Sequence, residues 1–592
     1  MSGARRWRIA LAVVVGLLSA SCSGIPSGGQ AEVVRTVEGP QNPSQPLTPQ
    51  SGQAPDQVIR GFIAASADNR SDQSQGKPFA AARPFLTARA SEAWQPAKER
   101  IVVVGDDYAL SQDKDDASTY TLVAQQVGVL AVDKSYTAAA AGVEALKIHV
   151  VEVDGEWRID VPPTALVITT SDFSANYLER PVYFLNSTGT NLVPDLRYLP
   201  RSSTEAVRAD RLVSMLLSGP SARLSSGVTS MLSGSVRLAA NVVIDTGGVV
   251  RVDLTGVSLP TDLARQALAA QLAWTVRSEG TVAITVDGAP LDSAQPDQIY
   301  SSGTTASFDP DTTPAIGRTA ARDPYYLDSD GRIVSLVDSK PMWGEWGTRG
   351  EVKSAAMSAA TGAVAAVVQD GDSQQLRLGY PLEQAEAERT VLTASSLTQP
   401  TFDRFGNELW VVQDGQTDPQ VIRLTISAQV SQQVVSVPGL DKLGKVTALQ
   451  LSPDGVRVAV VASESLYIGT IERISQEGTT RVQVVGLTEL SRALPGGVGA
   501  VVFRSAAELL VAAGPDRSHR PVSVSIDGRE ISPRTSSGIF DNVTALAIDD
   551  EHAYISFGSR IWRLSGSLTS GEWETPDPKI PAFVGTAPFL PN

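Results

Sequence analysis

Five segments of the chain repeat one plan: an apolar strand, a turn, a second apolar strand, then a third. They are SAAMSAATGAVAAVVQDG from Ser354, PTFDRFGNELWVVQDG from Pro400, TALQLSPDGVRVAVVAS from Thr447, GAVVFRSAAELLVAAG from Gly499 and TALAIDDEHAYISFGS from Thr544. Their turns fall near Gly362, Gly406, Gly455, Ala507 and His552, at intervals of about 44 to 52 residues. That is the period of one four-stranded propeller blade. A lone sheet of this kind cannot bury both faces, so the units must close in a ring. A further unit, YYLDSDGRIVSLVD from Tyr325, precedes the first. It predicts either a partial blade completed by the C-terminal strand or a short sixth blade. The expectation for 304–592 is a β-propeller of about five to six blades. The turns Ser452–Gly455 and Asp328–Gly331 read as turn chemistry, since a calcium loop needs more oxygen ligands than their spacing supplies.

The N-terminus sets the compartment. Residues 1–21 carry Arg5, Arg6 and Arg8, then an apolar run from Ile9 to Leu18, then small residues. This is a signal peptide, its apolar run too short for an ordinary membrane span. Cys22, the one cysteine of the chain, follows directly. The run Leu18-Ser19-Ala20-Ser21-Cys22 resembles a bacterial lipobox, with Ser19 where leucine is commonest. The resemblance implies that the Cys22 thiol is alkylated with diacylglycerol and becomes residue one. Two or more acyl chains hold a protein durably, where one holds it weakly. Residues 22–55, rich in Ser, Gly, Pro and Gln, read as a flexible tether.

Two folded pieces precede the propeller. In the first, 56–180, Val58, Ile59, Phe62 and Ile63 recur at helical spacing and Phe79 to Trp94 predicts a second helix. Strands follow at Ile101–Val104, 118–132 and 146–161, the last broken by Asp154-Gly155. Helices and then a strand meander predict an α+β domain with a curved sheet, and the VEVDGEWRIDVPP ending looks NTF2-like. In the second, 181–303, Ser202 to Glu205 predicts a capping box, and the helix ends at Gly219-Pro220. Strands are expected over 236–245 and 249–254, and Thr261 caps a helix with face Ala264, Leu268, Leu272 and Val276. The segments VYFLN, RLVSMLLSGPS, VVRVDLTG, ALAAQLAWTV and VAITVDGAPL, in that order, resemble the GerMN domain of bacterial envelope and germination lipoproteins. That resemblance assigns no chemistry to any residue.

Charge and residue counts exclude several functions. Lys and Arg number 49 against 64 Asp and Glu, a net charge of −15. Such a chain repels nucleic acid. One cysteine and three scattered histidines, His149, His519 and His552, leave no spacing for a zinc site. No cofactor, metal or catalytic residue is expected, and the chain reads as a non-enzyme. If it were an enzyme, Asp403, Asp454 and Asp549 would be the carboxylates to test. Met342, Trp343 and Trp346 in PMWGEWG form an aromatic patch suited to a partner contact, or alternatively to packing between propeller and GerMN module. Arg517, His519 and Arg520 offer a basic loop, or a plain solvated one.

Lipobox, α+β domain, GerMN module and propeller in this order resemble the LpqB family of actinobacterial lipoproteins. The resemblance covers essentially the whole mature chain. It implies an accessory on the extracytoplasmic side of the cell membrane that contacts the ectodomain of an MtrB-type sensor histidine kinase. There it would tune MtrA–MtrB signalling in envelope homeostasis and cell division. The alternative is an envelope lipoprotein that binds a glycan, lipid or other small ligand through its propeller or N-terminal cone.

Overall fold

The computed structural model describes residues 48–591 except 68–78, 97–99, 140–141, 164, 233, 313–322, 382–387, 428, 477–478, 491, 493, 550–551 and 577–582. The signal segment, Cys22 and the tether up to residue 47 lie outside the described residues.

The first piece opens with a helix, Pro55–Ser66, whose Val58, Ile59, Phe62 and Ile63 are buried as their spacing predicts. Pro55 stands at its first position, where its missing amide costs nothing. The expected helix over 79–94 is shorter. A 3-10 turn, Arg83–Phe85, holds Pro84, and the helix proper is Ala88–Ala93, capped by the Thr87 side chain. A proline amide cannot donate within a longer helix. The sheet runs Glu156–Val161, Val143–Val153, Thr119–Leu130, Ile101–Val104, Leu166–Thr169 in spatial order. Asp154 and Gly155, both at positive φ, turn the first hairpin. The pairing of Leu166–Thr169 with Ile101–Val104 is parallel, which a pure meander would not contain.

A short helix, Thr170–Asn176, leads into the hairpin Tyr177–Asn186 and Leu192–Pro200. The module boundary expected at 180/181 therefore falls inside a strand. The next helix, Glu205–Ser218, is capped by Thr204, which accepts from the Val207 amide, and not by Ser202. Gly219, at φ 95°, ends it. The strand expected over 236–245 is two short pieces, Arg237–Leu238 and Val243–Ile244. Between them the Val242 amide is drawn to the Asp210 carboxylate of the helix, 3.1 Å away. Thr261 caps Asp262–Thr275 as expected, and Leu268, Leu272 and Val276 are buried.

Among the described residues, the C-terminal part holds five four-stranded sheets and one three-stranded sheet. The first is Val352–Met357, Val364–Asp370, Ser373–Gly379 and Arg389–Ala394; the fifth ends at Glu572–Glu574. The sixth holds Ile333–Ser335, Tyr325–Asp328 and the C-terminal Gly585–Phe589. The unit at Tyr325 is thus the partial blade completed by the chain's end. Six apolar cores, one between each pair of neighbouring sheets, close the ring. This explains why second strands such as RVAVVA and ELLVAAG read as unbroken apolar runs. Ala459 and Val461 face the fourth sheet while Val458, Val460 and Ala462 face the second. A strand buried on both faces loses its polar alternation.

Candidate functional site

Strands in each four-stranded sheet alternate in direction. Turns joining first to second and third to fourth strands therefore gather at one end of the propeller. The other connections gather at the opposite end.

The first end is occupied by the preceding modules. Arg457, in the first-to-second turn region of the third sheet, donates to the Pro194 carbonyl and to Asp454. Arg404, at the same place in the second sheet, donates to the carbonyls of Asp309 (3.3 Å) and Thr312. The Ala506 amide of the fourth sheet donates to Asp311, 2.6 Å away. Leu196 joins the core shared by the third and fourth sheets. The Tyr198 hydroxyl donates to Asp527, in the third-to-fourth turn of the fourth sheet, at 2.7 Å.

Among the described residues, the loops at the opposite end have no such bonds to the preceding modules. Asp370, Asp372, Asp418, Glu464 and Asp516, all on its second-to-third connections, are exposed. Phe540 stands 73% exposed on the connection from the fourth to the fifth sheet. It is held edge-on against Phe557 and Trp562, with ring centroids at 5.0 and 5.8 Å. Phe557 and Trp562 themselves stack 4.7 Å apart. An exposed aromatic braced by two others is the kind of side chain that protein interfaces favour as an anchor. Sequence reading missed Phe540. The signal was present: a lone aromatic in the polar run RTSSGIFDN.

The PMWGEWG patch divides. Met342 and Trp346 are 5% and 2% exposed, inside the core between the sixth and first sheets. As partner contacts they are corrected to core residues. Among the described residues the sixth sheet has three strands, and the Pro341 to Gly347 segment lies at its outer edge, bridging Val334 at Pro341. Trp343 points out, 61% exposed. In the basic loop, His519 is buried against Gly499, where a Cβ would strike its ring, and burial lowers its pKa. Arg520 donates to the His519 and Asp541 carbonyls. The side chain of Arg517 is outside the described residues.

The three aspartates named as test carboxylates each close a turn. Asp403 accepts from the Glu408 amide, and Asp549 from the His552 amide, both at 2.6 Å. Asp454 is buried and accepts from Ser452, the Val456 amide and Arg457. His149, His519 and His552 stand in three separate places, and among the described residues no three metal-ligating side chains converge. An open cleft of about 580 Å³ lies in the N-terminal domain between Arg89, Trp94, Asp160, Val161, Pro163 and Leu166. Among the described residues no helix is long and apolar enough to cross a membrane.

Three segments of the chain match known families. Residues 338–591 match the family described as Lipoprotein LpqB beta-propeller domain. Residues 48–174 match Lipoprotein LpqB, N-terminal domain, and 181–292 match Sporulation and spore germination. Lipoprotein LpqB of Nocardia farcinica is 28% identical over 633 residues, covering 100% of this chain and 99% of that one. Its counterpart in Rhodococcus jostii is 27% identical, covering 99% and 97%. That of Mycobacterium bovis BCG is 29% identical, covering 99% and 100%.

Proposed function

We propose that this chain, which belongs to the LpqB lipoprotein family, is a non-catalytic partner of a sensor histidine kinase, anchored by lipid at Cys22 on the extracytoplasmic side of the cell membrane. It docks the open end of its propeller on the ectodomain of an MtrB-type kinase and so modulates MtrA–MtrB signalling in envelope homeostasis and cell division. The observation that carries this reading is the asymmetry of the ring. One end is bonded to the preceding hairpin through Arg457 and Asp527 and to the connector at 309–312 through Arg404 and Ala506, while the other carries the exposed Phe540 and several exposed carboxylates. A lipid anchor at Cys22 keeps the chain on the same membrane as its receptor and raises its effective concentration there. The non-catalytic part of the reading draws support from Asp403, Asp454 and Asp549, whose acceptor capacity is engaged in turns.

The test is a calorimetric titration of the mature chain with the kinase ectodomain. Binding is expected, weakening as salt is raised to the extent that the exposed carboxylates of the second-to-third loops carry it. Phe540→Ala is expected to weaken it by roughly 30-fold, the scale of a hot-spot aromatic worth about 2 kcal/mol. No binding by the wild type overturns the partner assignment; unchanged binding by the variant overturns the choice of face. The cleft beside Trp94 favours a second reading, a small envelope ligand held by the N-terminal domain. A thermal-shift screen with peptidoglycan fragments tests that reading. A ligand at a hundredfold its dissociation constant would stabilise the chain by about 2.7 kcal/mol.

A further inference from the structure

The described modules meet at one cluster of acids and aromatics. From the N-terminal domain come Tyr136 and Phe173, whose rings lie 5.9 Å apart. From the hairpin come Glu179 and Tyr198, directly opposite each other in the ladder. From the propeller comes the turn Asp527-Gly528-Arg529-Glu530, with the Ala138 amide donating to the Asp527 carbonyl at 3.3 Å. Arg529 lies over the rings of Phe173 (5.1 Å) and Tyr198 (5.5 Å) and donates to Ser174 Oγ. Asp527 accepts from Tyr198 Oη at 2.7 Å, from Ser525 Oγ at 2.6 Å and from the Arg529 amide at 3.0 Å. Glu179 Oε2 lies 3.4 Å from the same Tyr198 hydroxyl. One phenol thus stands between two carboxylates in a largely buried seam.

We propose that Glu179, Tyr198 and Asp527 form a proton-operated clasp that holds the propeller against the two preceding modules and tightens on acidification. The phenol has one proton, and it goes to Asp527. When Glu179 takes a proton from solvent it donates to the Tyr198 oxygen, and the chain Glu179 to Tyr198 to Asp527 is complete. When Glu179 is ionised its charge is poorly solvated and faces Asp527 and Glu530, offset only in part by the Tyr198 hydroxyl and Arg529, while the buried Arg223 faces Asp527 from the second module. Burial first, then those two carboxylates, raise the Glu179 pKa from 4.5 to about 7. Burial raises that of Asp527 as well. The sign follows from linkage. The docked form binds the proton more tightly than the undocked form, so its advantage is full below 4.5 and is lost as pH rises through 7. Opening of the seam therefore rises by up to tenfold per pH unit across that window and levels off above it. The whole change is at most about 300-fold.

Hydrogen exchange of the full mature chain, corrected for the intrinsic rate at each pH, tests the clasp. Peptides covering 134–138, 177–180 and 525–530 are expected to lose protection together between pH 4.5 and 7. Glu179→Gln, isosteric and uncharged, is expected to flatten that dependence, leaving only the part due to Asp527, and to leave the seam better protected than wild type at pH 8. Tyr198→Phe, which lacks the bridging hydroxyl, is expected to lose protection even at pH 5. Wild-type protection that ignores pH, or a Glu179→Gln profile identical to wild type, overturns the clasp. Full protection of Tyr198→Phe at pH 5 overturns the bridge. These readouts need no kinase, so they stand or fall apart from the partner assignment.

Discussion

Replacing Glu408 by Gln is expected to cost the propeller about 3 kcal/mol. Glu408 begins the second strand of the second sheet and is 8% exposed. Arg423 of the same sheet donates to its Oε1 at 2.7 Å. Arg473, from the third sheet, donates to both oxygens at 2.7 and 2.9 Å. The Trp410 indole donates to Oε2 at 3.0 Å. The carboxylate therefore ties two blades together. Burial alone would raise its pKa; the hydrogen bonds and charges of Arg423 and Arg473 outweigh burial and hold it at about 2, against 4.5 unperturbed. That difference of about 2.5 units, at 1.36 kcal/mol each, gives the 3 kcal/mol. It agrees with the 3–5 kcal/mol typical of breaking a buried ion pair. Because the folded pKa is depressed, the contribution is present above pH 4.5 and is lost as pH falls toward 2. The assay is urea unfolding of the mature chain, followed by tryptophan fluorescence at pH 7 and pH 3. The deficit of the variant should be full at pH 7 and smaller at pH 3. An equal unfolding midpoint for both proteins at pH 7, or a deficit independent of pH, would refute the reasoning.

Two further outcomes follow from burial and chemistry. Trp346→Ala empties a filled space between the sixth and first sheets and should cost about 3–5 kcal/mol, whereas Trp343→Ala, three residues away but exposed, should change stability by less than about 0.5 kcal/mol; urea midpoints of the two variants compare them. Cys22→Ser should move the chain from the membrane pellet to the soluble fraction of lysed cells and remove the acyl mass from its N-terminus, as read by fractionation and mass spectrometry.

What the sequence disclosed was whatever had a local cause. The second strands of the blades announced themselves because both their faces are buried, and Thr261 and Gly219 mark helix ends by side-chain and backbone geometry within a few residues. The misreadings share a different origin. PMWGEWG looks like an exposed loop from its Gly and Pro, but its place at the outer edge of the sixth sheet, a fact about closure, draws Met342 and Trp346 inward. Ser202 and Thr204 are both able caps, and the choice between them is set by where the preceding strand ends. Phe540 went unread because what singles it out, its edge-on contacts with Phe557 and Trp562 on the next sheet, is a fact of packing. The Tyr198 to Asp527 bond joins residues 329 apart, and no periodicity reports a pairing of that kind.

The last strand, Gly585–Phe589, lies against Tyr325–Asp328, near the beginning of the propeller. Ring closure therefore joins segments from opposite ends of the propeller sequence, and the edge of Tyr325–Asp328 stays bare until Gly585–Phe589 arrives. A product truncated before Gly585 keeps an unpaired hydrophobic border that invites aggregation and proteases.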